Sequence, residues 1–342
     1  MPRWRSSRVA SVRADLLIVG QGLAGTLLGW ELERAGIPFA IADAGHGRAA
    51  SRVAAGLLNP ITGRRLVKSW RVETLRPIAR EAYHGLESML GVPLWQEMRV
   101  RRSFADERQR TVFAEKQRSG ALAPFVGAGD ADGFWIEEAA RVDLTALLAG
   151  ARRRWQERGV LREGEVHWDE ALAGHELVID CAGEGGVGRF EFVPWEFSKG
   201  EVLTVTVEGL DPRVILNHGH WVCPLTSGTA LVGATHEFGL RNAVPSMSAR
   251  TALGASATEL LKRPWTVTGQ SAGVRVTLPD RRPVAGRHPS QPRLGLLGGL
   301  GAKGVLLAPW LARQWVNHLT EGVPFESEVE VGRFLTNRSS QA

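Results

Sequence analysis

A glycine-rich run near the start of the chain has the spacing of a phosphate-binding turn. It fits Gly-x-Gly-x-x-Gly and follows a short apolar run that predicts a strand. In such a turn the first glycine permits the tight bend, the second lets a pyrophosphate approach the backbone, and the third allows a helix to pack closely on the strand. Free N–H groups and the positive end of the helix dipole then hold the phosphates. The run consists of Gly20, Gln21, Gly22, Leu23, Ala24 and Gly25.

An acidic residue strengthens this prediction. Asp43, followed by Ala44, ends the next apolar run, about twenty residues after the turn, where a carboxylate accepts hydrogen bonds from an adenosine ribose. The pattern between the two runs predicts a helix over 23–34 that stops at Gly36. Strand, turn, helix and strand in this order form a βαβ unit with a buried parallel pair. The sequence therefore predicts a dinucleotide site, although this unit alone does not separate NAD from FAD.

The segment at 50–60 favours FAD over NAD. Its small residues would let the backbone pass against a large flat cofactor, which a nicotinamide enzyme would not need at this place. A plain loop with a glycine hinge is the alternative. The residues concerned are Ser51, Ala55, Gly56 and Leu57.

Together, the glycine turn and several later stretches resemble the D-amino-acid oxidase superfamily of flavoproteins, with the glycine oxidase and sarcosine oxidase branches nearest. Each stretch is weak alone, but jointly they are specific and extend from residue 15 to about residue 319. Besides the turn and Asp43, they are 51–57, 180–183 (Asp-Cys-Ala-Gly), 221–224, 232–235, 271–286 and 298–309.

The resemblance implies an α/β fold with two domains. A discontinuous Rossmann-type domain would bind FAD, and an α+β domain with an antiparallel sheet would bind the substrate. A basic N-terminal arm, residues 1–14, would lie outside both. The expected FAD domain comprises 15–85, 140–190 and 270–335, and the substrate domain comprises 86–139 and 191–269.

The resemblance also implies how the cofactor is held. Val166 would contact the adenine through its backbone, and Gly183, beside Ala182, would close a turn near the dinucleotide. Val53 stands where some relatives carry a flavin-linking histidine, and no cysteine lies near Arg275, so FAD is predicted to bind non-covalently.

A third cofactor stretch would serve the flavin ring. Gly301, Lys303 and Gly304 would offer N–H groups to its pyrimidine edge, with Ala302 and Val305 beside them. Such donors favour negative charge on the reduced ring.

Arg275 is the first candidate for the substrate side. A guanidinium fixes a planar carboxylate with two hydrogen bonds, and in the resembling family the arginine of this segment clamps the substrate carboxylate. A structural ion pair is the alternative. Trp221 stands where the family often has tyrosine and supplies only one N–H donor, so it is equally well a wall aromatic. His220 or His218 could provide the missing polar contact, and Lys303 lies in the flavin loop.

These residues predict an enzyme that oxidises the C–N bond of an amino acid or carboxylated amine by hydride transfer to flavin N5. No strong base is required, because an apolar pocket lowers the pKa of the substrate amine. Oxygen or another electron acceptor would complete the cycle. Two alternatives remain: the same chemistry on a glycine-like group of a modified tRNA base, and a flavoprotein subunit without turnover. A plain NAD dehydrogenase is a minor further alternative.

Composition and charge indicate where the protein acts and what it binds. The 342 residues carry a net charge of +6 and only two cysteines, Cys181 and Cys223, which predict buried thiols and a cytoplasmic location. Nucleic-acid binding is disfavoured because no recognised module accompanies the charge. The arginines at 152–154 predict a solvated helix face. Those at 64–65, with Lys68, predict either a cationic mouth for a larger or doubly acidic substrate or a solvated loop.

Overall fold

The computed structural model describes residues 15–335 except 46, 48 and 227, so the predicted basic arm lies outside the described residues. The helices, other than 3-10 turns, are α1 (Leu23–Arg34), α2 (Ala50–Val53), α3 (Val72–Leu90), α4 (Glu107–Arg118), α5 (Leu144–Glu157), α6 (Trp168–Gly174), α7 (Met247–Leu261) and α8 (Gly304–Glu321). The strands are β1 (Leu16–Val19), β2 (Ala40–Asp43), β3 (Leu57–Leu58), β4 (Ile61–Thr62), β5 (Val67–Lys68), β6 (Trp95–Ser103), β7 (Val126–Gly129), β8 (Gly133–Val142), β9 (Leu161–Glu163), β10 (Leu177–Asp180), β11 (Glu196–Thr206), β12 (Val214–His218), β13 (His220–Thr226), β14 (Thr229–Gly233), β15 (Glu237–Phe238), β16 (Thr266–Thr277), β17 (Val284–His288) and β18 (Gln291–Gly298).

A six-stranded sheet holds the glycine-rich turn. Its strand order is β17-β18-β10-β1-β2-β9, and all neighbours except β17 and β18 pair in parallel. The run 16–19 is buried throughout because helices cover the sheet. The carboxyl ends of β1, β2, β10 and β18 therefore meet at one edge, where an open α/β sheet binds its ligand.

A ten-stranded, largely antiparallel sheet forms the second layer. Its order is β15-β11-β14-β13-β12-β6-β8-β3, with β16 paired to β11 and β7 to β8. One face packs on α7 through a small apolar cluster that includes Leu203, Val222 and Leu253. The opposite face, with Ile215 and Cys223, joins the largest apolar core, which also contains helices α1 and α8. This second face is turned toward the dinucleotide-binding part of the molecule.

Several local predictions are confirmed. Helix α1 has the predicted bounds, and Gly36 follows it with φ +70°. The prediction that both cysteines are buried and unpaired is confirmed, and helix α5 buries an apolar face that includes Leu144 and Trp155. The α/β fold class is confirmed as well. The division into two domains stays a prediction, and β8 and β16 each continue across one of the expected boundaries. Within the described part of the chain, no helix is both long and apolar enough to cross a bilayer.

Candidate functional site

Two of the three glycines in the turn are required by the protein itself. Gly20 has φ +96°, and a Cβ atom there would come within 2.8 Å of the Ala182 Cα atom. A Cβ atom at Gly25 would overlap the carbonyl oxygen of Gly20. Both positions are therefore explained by the tight bend and by helix packing.

Gly22 differs because the protein leaves space beside it. A Cβ atom there would meet only the Ser51 Oγ atom, at 3.6 Å. Gly22 is the N-cap of α1 and has an extended backbone without a side-chain cap, and the Leu23 N–H donates to Ser51 Oγ at 3.1 Å. A helix start with only one side-chain acceptor and open space beside it is suited to an anion. The local structure thus fits the pyrophosphate of a dinucleotide, with Ser51 at its edge.

The Asp43 carboxylate lies beside this turn and is nearly buried. Its Oδ2 atom accepts from the Gln21 N–H at 2.7 Å, and Oδ1 accepts from the Gly45 N–H and from Arg152 Nη1, both at 3.0 Å. A carboxylate has about four acceptor positions. These three contacts leave one position on Oδ2 for a ribose hydroxyl, so Asp43 fits its predicted role.

Arg152 corrects the expectation of a solvated helix face. Its side chain is 12% exposed and links Asp43 to Glu163, whose Oε1 atom is 2.8 Å from Arg152 Nε. The reason is tertiary: α5 packs against α1, so this arginine faces the end of β2. It therefore belongs to the adenosine side of the candidate cofactor site.

The remaining residues expected near the adenosine lie at the same sheet edge. Val166 follows β9 and packs partly buried against Leu17, Val19 and Val178. Ala182 follows β10, and its N–H donates to Asp180 Oδ1 at 2.9 Å. The other two are Gly183, with φ +60°, and the exposed Ala44.

The 50–57 segment runs between the two sheets. Its first part is α2, and a Cβ atom at Gly273 of β16 would be 3.3 Å from Ala50 and 3.5 Å from Val53. Ala55 is buried. Gly56 has φ +73° and contacts the backbone of Val142 so closely that a side chain would overlap it. Leu57 begins β3. The segment thus passes over β16, the strand that carries Arg275.

The start of α8 corrects part of the flavin prediction. The Gly301 N–H donates to Val276 O at 2.9 Å and the Lys303 N–H to Leu300 O at 3.0 Å, so neither is available to a ligand. These bonds form because the loop turns back onto β16 before the helix begins. The donors left in the first helical turn are the N–H groups of Gly304 and Val305, since the Leu306 N–H donates to Lys303 O.

Helices α1 and α8 begin side by side. A Cβ atom at Gly304 would lie 3.0 Å from the Leu23 side chain. Two positive helix ends therefore converge between the sheets. Lys303, the N-cap of α8, is half-buried, and burial lowers its pKa. It makes no ion pair with the described residues, and the neighbouring Ala302 is exposed.

Arg275 lies across the antiparallel sheet. A Cβ atom at Gly200 of β11 would overlap its guanidinium, so the side chain crosses β11 where no side chain intervenes. Its Nη1 atom donates to Thr235 O at 3.0 Å and lies 3.3 Å from His236 Nδ1. Burial lowers its pKa, and among the described residues no carboxylate pairs with it. The alternative of a structural ion pair therefore has no support in this part of the chain.

The strand register places Trp221 on the same face. Trp221 pairs with Gly233, and Gly233 pairs with Val202, so these residues point the same way. Because side chains alternate along β11, Gly200 lies on the same face as Val202. The register between β11 and β16 puts Arg275 on that face as well. A Cβ atom at Gly233 would be 2.8 Å from the Trp221 ring, so the indole also lies over a glycine. The arginine and the indole thus form one wall facing α2.

His220 points elsewhere, which corrects its expected place beside Trp221. Its Nδ1 atom is 2.7 Å from the Ser256 Oγ atom of α7. Being one residue from Trp221, it has its side chain on the opposite face of the strand. His218 likewise contacts α7, with Nδ1 2.6 Å from Glu259 Oε1. The histidine beside the arginine is His236, and burial, Arg275 and His220 lower its pKa to about 4.

Sequence reasoning missed three residues of this site: Arg152, Gly200 and His236. Only Gly200 had a local indication, because a glycine inside a strand pattern often marks a close approach. Two of the three residues considered for a cationic substrate entrance are neutralised by ion pairs. Arg64 pairs with Asp106 and Lys68 pairs with Glu73.

Fold and site together define a dinucleotide-binding oxidoreductase that combines a mostly parallel sheet with a largely antiparallel one. A family described as FAD dependent oxidoreductase (DAO) matches residues 15–317. The chain belongs to this family, and its cofactor is FAD. Gly22, Asp43 and the paired helix starts fit that group. Bound FAD supplies a hydride acceptor at its flavin ring.

Similarity to individual proteins extends over most of the chain. A tRNA 5-methylaminomethyl-2-thiouridine biosynthesis bifunctional protein MnmC from Maricaulis maris (strain MCS10) is 32% identical over 98% of this chain, which spans 57% of that protein's length. A glycine oxidase from Bacillus licheniformis is 24% identical, with 87% of this chain and 90% of the relative covered. Iminodiacetate oxidase (IdaA) from Chelativorans sp. BNC1 has the same fold, with a TM-score of 0.74, 20% identity, and 92% and 98% coverage.

Proposed function

We propose that the chain oxidises the C–N bond of an amine that carries a carboxylate. The observation that carries this proposal is the Arg275 guanidinium, which is half-buried and lacks a carboxylate partner among the described residues. A buried cation is retained at a cost in free energy unless an anion compensates it. The expected anion is the carboxylate of the substrate.

The surroundings of Arg275 support such a clamp. Thr235 O accepts from Nη1 and fixes the plane of the guanidinium, and a neutral His236 places Nδ1 on the same side. Because its pKa is about 4, His236 adds no positive charge near neutral pH. The remaining guanidinium N–H groups can bind a carboxylate, which orients the adjacent C–H bond toward the cofactor side of the sheet.

The wall beside the clamp suits an uncharged amine. Trp221 presents an apolar ring surface next to Gly233, and Val53 of α2 lies opposite Gly273 on the same side. An ammonium group that enters an apolar site loses hydration, so its pKa falls and the neutral amine becomes accessible. No protein base is then needed to free the electron pair that assists hydride loss.

Flavin reduction without oxygen tests the proposal. We expect carboxylated amines such as glycine or N-methylglycine to bleach the flavin absorbance, and their methyl esters to fail. Arg275→Met should abolish reduction by carboxylated donors while FAD stays bound. Arg281→Met is the control, because Arg281 pairs with Glu196 at the exposed edge. Normal kinetics in Arg275→Met would remove the clamp from the proposal.

A second candidate is the same oxidation on a tRNA base. It is favoured by the similarity of 98% of this chain to a protein of tRNA 5-methylaminomethyl-2-thiouridine biosynthesis, and by the net charge of +6. The donor would then be an amine on a modified uridine. We expect tRNA binding to weaken steeply with salt, and mass spectrometry of tRNA nucleosides to show loss of a carboxylated group. Unchanged nucleosides alongside rapid oxidation of free glycine would reject this candidate.

A further inference from the structure

The sheet face that carries Arg275 and Trp221 continues beyond Trp221 across two more strands to a second arginine. Trp221 of β13 pairs with Asn217 of β12, and Asn217 pairs in parallel with Arg102 of β6. Residues paired in this way point to the same face of a sheet. Gly233, Trp221, Asn217 and Arg102 therefore form one row across the sheet, and the Arg275 guanidinium lies beyond its far end, over Gly200 of the next strand.

Arg102 differs from its neighbours on β6. Arg99 pairs with Glu137 and Arg101 with Asp130. Arg102 instead donates from Nη2 to Gly63 O at 2.9 Å and makes no ion pair with any described residue. It is half-buried, and burial lowers its pKa to about 10. A guanidinium has five N–H donors, so one carbonyl leaves most of them unused.

The contact with Gly63 fixes where this guanidinium lies. Gly63 forms the turn between β4 and β5, the hairpin that follows directly after the 50–57 segment. The α4 helix holds this hairpin, since Gln109 donates to Arg64 O at 3.0 Å and Lys116 to Leu66 O at 2.9 Å. Arg102 is thus held beside this hairpin, half-buried, at the rim of the sheet face that carries Trp221.

We infer that Arg102 forms a second anion subsite, so that the preferred donor carries another anionic group at the end of its amine substituent. This inference rests on the proposed function of the Arg275 clamp. Strands in a sheet are about 4.8 Å apart, so the backbone of Gly200, over which the Arg275 guanidinium lies, is roughly 19 Å from that of Arg102, and the long Arg102 side chain shortens this gap. The two anions of the donor would be separated by several bonds.

Matched donors test the subsite. N-carboxybutylglycine and N-pentylglycine have similar length, but only the first carries a second carboxylate; a phosphonate analogue distinguishes phosphate from carboxylate preference. We expect Arg102→Met to lower kcat/KM for the doubly anionic donors roughly ten- to a hundredfold, as for loss of a charged hydrogen-bonded pair, and to leave N-pentylglycine within about twofold. Arg101→Met, one residue away and paired with Asp130, should change neither.

Binding without turnover gives an independent measurement. Adipate and pentanoate have no amine and cannot reduce flavin, and their dissociation constants can be read from the perturbed flavin spectrum. Arg102→Met should weaken adipate binding and leave pentanoate unchanged. Equal effects on both acids, or none on adipate, would overturn the subsite. If no amine reduces the flavin of the unmodified protein, the proposed oxidation fails, while the adipate comparison still decides the role of Arg102.

Discussion

At Gly200 a single added methyl group should weaken substrate binding without lowering the stability of the fold. A Cβ atom there would overlap the Arg275 guanidinium and meets no backbone atom among its nearest contacts. The Gly200 backbone does not have a positive φ, so alanine fits the strand. Gly200→Ala should therefore displace the end of a flexible side chain and leave the β11–β16 pairing in place.

The size of the effect follows from the interactions that are lost. Two charge-assisted hydrogen bonds between a guanidinium and a carboxylate are worth about 2 to 4 kcal/mol together. At about 1.4 kcal/mol per factor of ten, the affinity for a carboxylated donor should fall roughly thirty- to several-hundredfold. Replacing glycine by alanine in an unstrained strand itself changes stability by less than about 1 kcal/mol.

The assay compares binding with folding in the same variant. Donor concentration dependence of anaerobic flavin reduction gives the affinity, and thermal unfolding gives Tm. Gly269→Ala on β16 is the control, because its Cβ atom would contact only Thr204 at an ordinary 3.5 Å. A Gly200→Ala protein that binds FAD, melts like the unmodified protein and keeps its affinity for carboxylated donors within about twofold would refute the reasoning.

Three further outcomes are expected. Gly22→Ala should fold, because the added methyl meets only Ser51 within the protein, but should lose FAD affinity about tenfold or more, because the methyl occupies the proposed phosphate site. Gly25→Ala should fail to fold, because its methyl would overlap the Gly20 carbonyl oxygen. Flavin absorbance measures FAD binding and circular dichroism measures folding in both variants. Burial raises the pKa of Asp180 to about 6, so its ionisation lowers the stability of the fold as pH rises from about 4 to about 6. The Asp180→Asn variant should therefore be more stable than the unmodified protein by about 2 to 3 kcal/mol around pH 8. In unfolding titrations this difference should vanish near pH 4. Acid precipitation should leave a colourless pellet, since Val53 offers FAD no covalent link.

The cofactor half of the molecule could be predicted from the sequence because its determinants are local. The turn, the helix bounds and the strand that ends in Asp43 lie within thirty residues, and the glycine spacing reports the geometry directly. Arg152 could not be predicted. It reaches Asp43 only because α5 packs on α1, and nothing in its own sequence neighbourhood distinguishes it from Arg153.

The substrate half was less accessible because its determinants depend on strand register. The family resemblance predicts Arg275, but the absence of a carboxylate partner among the described residues depends on which strands surround it in the fold. His220 was expected beside Trp221 because the two are adjacent in sequence. Adjacent residues of a strand point to opposite faces, so the His220 side chain lies on the other side of the sheet from Trp221. His236 contacts Arg275 from the far side of β11, a relation that no local pattern reports.

Glycines lie at both proposed ligand sites of this protein, and the structure distinguishes two reasons for them. At Gly25 an added methyl would meet backbone, so that glycine serves the packing of strand and helix. At Gly22 it would meet mostly open space, and at Gly200 the end of a charged side chain, so neither glycine is needed to build the fold itself. A position whose glycine the protein does not require for folding indicates that something else occupies the space. In the proposed function, the cofactor phosphate occupies the space beside Gly22, and the Arg275 guanidinium over Gly200 is positioned to bind the substrate anion.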